Sequence, residues 1–140
     1  GKWYPSEALG PLTSDGTTVT IAGPTTITSP LYAVRSVEAV TTTKSPTAAE
    51  SREVYTNEGD ADGAAVTLPT AAAGLEFTFI VQAAQTFTVT AAAGDTIRIA
   101  GAVTAAAGSV TSNVVGSTLT LVAINATEWV AVASGGSWSV

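Results

Sequence analysis

The residues whose spacing holds the most chemistry are Glu58, Asp60 and Asp62, alternating with Gly59 and Ala61 and closed by Gly63. Carboxylates at every second position ahead of a glycine match positions one, three, five and six of a calcium loop, where a hard cation takes oxygen ligands from a tight turn. The twelfth position of such a loop needs a bidentate Glu, but here it is Pro69, and Ala64–Leu68 adds no carboxylate. A solvated turn between strands is the better reading, since Asp and Gly are turn residues, and no metal site is expected. Other chemistry has less support. The 140 residues include no His and no Cys, which removes imidazole acid–base catalysis, thiolate nucleophiles, the usual zinc sites and disulfides. Eleven acidic residues leave room for a glycosidase-like carboxylate pair, but no spacing singles out two of them. No Gly-rich phosphate loop is present. Neither a catalytic residue nor a cofactor is expected.

Charge is scarce and unevenly placed. Five Lys and Arg against eleven Asp and Glu give a net charge of −6, a poor footprint for nucleic acid. After Gly63 the only charged side chains are Glu76, Asp95, Arg98 and Glu128. Disorder does not follow from this low complexity, because disordered chains combine low hydrophobicity with high net charge. Mean hydropathy is +0.36, so the second half must bury surface. No run approaches the ~18 apolar residues of a membrane-spanning helix. The opening residues Gly1–Glu7 carry Pro5 and Glu7 and no apolar stretch, unlike a signal peptide, so synthesis in a cytosol is expected.

The elements that must position any site read as strands. Leu75, Phe77, Phe79 and Val81 alternate with polar or smaller neighbours, and the same period of two recurs in Phe87–Thr90, Asp95–Ile99, Ser117–Ala123 and Glu128–Val132. Thr17–Ile21 and Ser51–Thr56 look like further strands, and Leu31–Thr42 like a strand with a bend or a short helix. Thr-Ala-Ala-Ala-Gly occurs at Thr70–Gly74, Thr90–Gly94 and Thr104–Gly108, each followed by a candidate strand. Three alanines cannot nucleate a helix, so each copy is expected to be a corner whose Gly takes a positive φ. Their uneven spacing argues against a strict solenoid repeat. The expected fold is all-β, an antiparallel β-sandwich or barrel of short strands with an extended N-terminal arm.

Two groups of aromatic and apolar residues remain. Trp3, Tyr4, Pro5, Leu9 and Leu12 stand near the terminus, in an arm that either docks on a partner or folds back over its own domain. Phe77, Phe79, Trp129 and Trp138 lie on alternating stretches, where aromatics serve as core or as oligomer interface; a Trp stacking on a sugar is the rarer use.

Read together, Thr47–Ser51, Tyr55–Gly59, Val66–Pro69, Ala73–Phe79, Gly94–Ile97, Gly116–Leu121 and Glu128–Ala131 resemble a module of tailed-bacteriophage structural proteins, among them head decoration (cement) and head-fibre proteins. The resemblance covers about residues 47–140, with Asp60 and Asp62 standing where the module usually has small apolar residues. It implies a β-rich, non-enzymatic protein that assembles as a homotrimer, with a variable N-terminal part, here residues 1–46, attaching it to the particle. The expected role is decoration of the outer capsid surface of a double-stranded DNA phage through the major capsid protein, after assembly in the host cytoplasm. No nucleic acid or membrane partner is expected. A head-fibre or tail-fibre module binding a host receptor or glycan is the alternative, followed by a stand-alone carbohydrate-binding module using Trp129 or Trp138.

Overall fold

The computed structural model describes residues 34–140. The strand expected at Thr17–Ile21 and the arm residues Trp3, Tyr4, Pro5, Leu9 and Leu12 lie outside the described residues. Eleven strands follow in order: β1 (Val37–Ala39), β2 (Thr43–Lys44), β3 (Val54–Thr56), β4 (Ala64–Thr67), β5 (Glu76–Ile80), β6 (Phe87–Thr90), β7 (Thr96–Ile99), β8 (Ala102–Val103), β9 (Ser109–Ser112), β10 (Thr118–Ala123) and β11 (Glu128–Gly135). One 3-residue 3₁₀ turn, Ala48–Glu50, is the only helical element among the described residues. The all-β expectation therefore holds, and the alternating stretches fall on β5, β6, β7, β10 and β11.

The pairing differs from the antiparallel expectation. Strands form two mixed sheets, in the orders β1-β3-β5-β10-β11-β7-β8 and β2-β4-β6-β9. Five ladders are parallel and four antiparallel. From β1 to β6 the chain steps from one sheet to the other at every strand. Val37 thus pairs beside Val54 and Val54 beside Thr78 in the larger sheet, while Thr43 pairs beside Ala65 and Ala65 beside Thr88 in the smaller. Parallel neighbours need a long crossover, usually a helix; here the crossover is a strand of the opposite sheet. Period two reports which face is buried, not which way a neighbour runs, so the sequence pattern is the same for both arrangements.

The core lies between the sheets. Tyr55, Phe77, Phe79, Phe87 and Trp129 are fully buried together with Val66, Leu68, Val81, Val89, Ile97, Leu119 and Leu121. Phe79 of the larger sheet meets Phe87 of the smaller edge to face at 6.0 Å, and Phe77 tilts against Trp129 at 5.8 Å. Each such side chain contributes roughly 1.5–3 kcal/mol by leaving water. The odd positions of β5 point inward as the alternation requires, leaving Thr78 and Ile80 on the outer face.

The Thr-Ala-Ala-Ala-Gly corners gather at one side. Turns close from Leu75 N–H to Ala72 O and from Asp95 N–H to Ala92 O, with Gly74 at φ 95° and Gly94 at φ 87°. The first two copies occupy equivalent places, each leading out of the smaller sheet into the larger. The third turn closes one residue earlier, from Gly108 N–H to Ala105 O, and puts Ala107, not the glycine, at φ 56°. Gly108 is needed there for space, because a Cβ on it would lie 2.6 Å from Thr104 Cβ. Asp95 joins all three corners. Its Oδ2 accepts from Ala71 N–H at 2.7 Å and its carbonyl from Ala107 N–H at 2.8 Å, while Ala91 N–H donates to Gly108 O.

Candidate functional site

Among the described residues a dense group of ionisable side chains lies where β1, β2 and the 3₁₀ turn converge on β3. Thr47 and Glu50 have capping-box spacing, and Glu50 Oε2 accepts from both the Thr47 N–H at 2.6 Å and the Thr47 hydroxyl at 2.8 Å. That capture leaves Oε1 for Lys44, whose ammonium donates to it at 2.7 Å and to Glu38 Oε2 at 2.8 Å. Glu53 completes the group by accepting from the Tyr55 hydroxyl at 2.8 Å, and Lys44 Nζ sits 5.8 Å from the Tyr55 ring centre.

Carboxylate oxygens of Glu38, Glu50 and Glu53 all lie within 4.8 Å of one another, close enough to share a cation. The Lys44 ammonium already stands among them as the internal cation. Its bonds to Glu38 and Glu50 raise the amine well above the ordinary lysine range. The Lys44 bond and the two Thr47 bonds hold the Glu50 carboxyl down to about 2. Burial, then the Glu53 bond, raises the Tyr55 phenol. A general acid or base works best with its pKa near the working pH, and these three groups have all moved away from neutrality. The arrangement is a latch that ties the first strands to β3.

The Glu58–Gly63 stretch is a turn, as expected. Asp60 Oδ1 accepts from Asp62 N–H at 3.1 Å and from Gly63 N–H at 2.9 Å. Among the described residues its carboxylate joins no group of three possible ligands. Next to it, fully buried Asn57 uses its whole side chain on the following crossover: Oδ1 accepts from Gln82 and Ala83 N–H at 2.7 and 3.0 Å, and Nδ2 donates to Ala83 and Gln85 carbonyls at 3.1 and 3.3 Å.

Of the aromatics singled out in the sequence, Phe77, Phe79 and Trp129 belong to the core and present nothing to solvent. Trp129 therefore offers no face for a sugar. Trp138 is half-buried, outside any regular strand; its Nε1–H donates to Thr118 O at 2.9 Å, and its ring walls a cleft of about 340 Å³ with Ile99, Ala100, Ala102, Ser134 and Val140. None of these residues is charged. Among the described residues the exposed large apolar side chains, Val34 and Val37 apart, are Val103, Val114, Val115, Ile124, Val132 and Val140, all in the charge-poor stretch after Arg98.

Sequence reasoning passed over the Lys44 latch, Asn57 and the bridging role of Asp95. The Thr47-x-x-Glu50 spacing was the one local signal for the latch; Glu38 and Lys44 reach it only through the pairing of β1 and β2. No protein-family model matches this chain, and no curated protein matches it.

Proposed function

We propose that the chain is a non-enzymatic structural subunit of a tailed double-stranded DNA phage, a homotrimer that decorates and stabilises the head by binding the major capsid protein. The observation that carries this reading is the segregation of charge. The ionic groups of β1–β3 are largely engaged in an internal latch, while the exposed apolar side chains Val103, Val114, Val115, Ile124, Val132 and Val140 all fall in a stretch of chain, Ile99 to Val140, that holds one charge, Glu128. Burying such a surface against neighbours avoids the desolvation cost of charges. The resemblance of residues 47–140 to phage decoration and head-fibre modules supports the same assignment, with residues 1–46 as the attachment segment led by Trp3, Tyr4, Pro5, Leu9 and Leu12.

Co-sedimentation with undecorated phage heads tests it. The full chain is expected to pellet with heads, and a chain lacking residues 1–30 is expected to stay folded and remain in the supernatant. A full chain indifferent to heads overturns the assignment, and undiminished pelleting of the truncation overturns the arm's part in it. The accessible indole of Trp138 favours a second reading, a fibre module holding a host glycan; glycan-array binding lost in Trp138→Ala selects that reading instead.

A further inference from the structure

A buried carboxylate oxygen with nothing to bond is costly, and it marks a place where a proton, a water or a cation belongs. Asp60 holds one. The residue is 7 % exposed; its Oδ1 accepts from the N–H groups of Asp62 and Gly63 at 3.1 and 2.9 Å. Its Oδ2 is buried and has no hydrogen-bond partner among the described residues. No basic side chain among them pairs with it either. Arg35, Lys44 and Arg98 are committed to Glu76, to Glu38 and Glu50, and to Glu128, and Arg52 makes no ion pair with Asp60.

The charge around this oxygen is of one sign. Exposed Glu58 and Asp62 stand two residues before and after Asp60, so the turn adds two carboxylates and no cation. The crossover over residues 82–86 turns carbonyl oxygens toward the same turn. Those of Ala83 and Gln85 accept from Asn57 Nδ2 at 3.1 and 3.3 Å, and that of Thr86 accepts from Ala64 N–H at 3.1 Å. Thr86 O also lies over Gly63, 3.4 Å from where a Cβ there would stand. Each carbonyl has a second lone pair to offer. Hard oxygens of this kind suit calcium, which takes about six to eight of them in flexible geometry, whereas magnesium demands a near-ideal octahedron. Gly59 and Gly63, at φ 76° and 113°, bracket the turn, and Gly59, Ala61 and Asp62 are exposed. The segment can therefore lift to admit an ion without opening the core.

We infer that the Glu58–Gly63 turn binds a calcium ion, with Asp60 Oδ2 as its buried ligand. Carbonyls of the 82–86 crossover complete the inner face, and Glu58 and Asp62 draw the ion in from solvent. The sequence pattern alone favours a plain solvated turn; the buried oxygen is what separates this turn from one. Main-chain carbonyls take the part of the missing twelfth-position Glu, where Pro69 stands. With one buried carboxylate, the affinity belongs with weak extracellular modules, Kd about 10⁻⁴–10⁻³ M. The site is independent of the phage assignment.

Calcium chloride added to the full chain after dialysis against EDTA tests it, read by melting temperature and by isothermal titration calorimetry. About 10 mM calcium is expected to raise the parent's melting temperature by a few degrees, and magnesium at the same concentration by less. Asp60→Asn keeps an acceptor for the two turn N–H groups and removes the charge. It is expected to stay folded in EDTA and to lose both the calcium-induced shift and the binding heat. Glu38→Gln, in the other acidic cluster, is expected to keep the response. A parent indifferent to calcium overturns the inference and leaves Oδ2 to a water or a proton. So does an equal response in Asp60→Asn, or an equal response to magnesium, which is general screening. Loss of the response in Glu38→Gln also overturns it, by sending the ion to the Lys44 latch.

Discussion

The two sides of the coiled chain close the same kind of gap by opposite means. Where the chain leaves the larger sheet for the smaller, one side chain, Asn57, spends all its hydrogen-bonding capacity on the next crossover. The three Ala-Gly corners, two returning to the larger sheet and one leaving it between β8 and β9, instead turn tightly on small residues, and Asp95 links them with a single side-chain oxygen plus its own carbonyl. The first side concentrates its stability in one residue. The second distributes it over many short turns, with the Lys44 latch closing the earliest crossover. A buried donor left unpaired costs about 1–3 kcal/mol, so the two designs should differ in how much a single substitution removes.

That difference can be measured by denaturant unfolding. Asn57→Ala strands the N–H groups of Gln82 and Ala83 and is expected to remove roughly 3–4 kcal/mol, the largest loss of the set. Asp95→Ala strands only the N–H of Ala71, since the carbonyl bond to Ala107 is backbone, and is expected to cost about 2 kcal/mol. A loss at Asp95 equal to that at Asn57 would erase the contrast. Ala107→Gly tests the distributed side from the other direction. It relieves a left-handed conformation worth about 1–2 kcal/mol in an L-residue against a glycine entropy cost of about 0.5–1 kcal/mol. A small net gain in stability, about 0.5 kcal/mol, is expected, read as a rise in melting temperature, and a loss would show that the alanine methyl has a packing role.

The smallest effect concerns acid. Folded Glu50 is held to about 2 against its ordinary 4.5. Between those values the unfolded chain takes up the proton and the folded chain does not, so the stabilisation is complete above pH 4.5 and is lost as the pH falls through that window. Melting temperature followed from pH 5 to pH 2 should decline less steeply in Lys44→Met than in the parent. Partial exposure to solvent keeps the difference small; an identical slope in both proteins would mean that Lys44 does not set the Glu50 carboxyl.

How far the sequence spoke depended on the range of each interaction. Strands β6 and β10 were legible almost to the residue, because Phe87–Thr90 and Thr118–Ala123 alternate without interruption. Strands β2 and β8, two residues each, are too short to show a period. Parallel stacking was hidden for a different reason. The first coil returns to the larger sheet sooner than the second, Val37 pairing beside Val54 but Val54 beside Thr78, so the nearly even step of the smaller sheet, Thr43 to Ala65 to Thr88, is not matched in the larger one. Two of the three Ala-Gly corners follow the expected glycine geometry, and the third closes one residue earlier, which puts the positive φ on Ala107 and leaves Gly108 needed for space beside Thr104. Asn57 reads locally as a turn residue, and only the neighbouring crossover reveals it as a clamp. Lys44 and Glu38 are brought to Glu50 by pairing that no local pattern encodes.

Because each of the three coils from β1 to β6 gives one strand to each sheet and pairs within them only with its neighbours in the stack, height in this part of the molecule is modular. A gene that gained or lost a segment spanning one such pair of strands would raise or lower the stack while keeping the β8 edge and its neighbouring cleft unchanged. The height of the stack is then open to selection separately from the strands at its far edge.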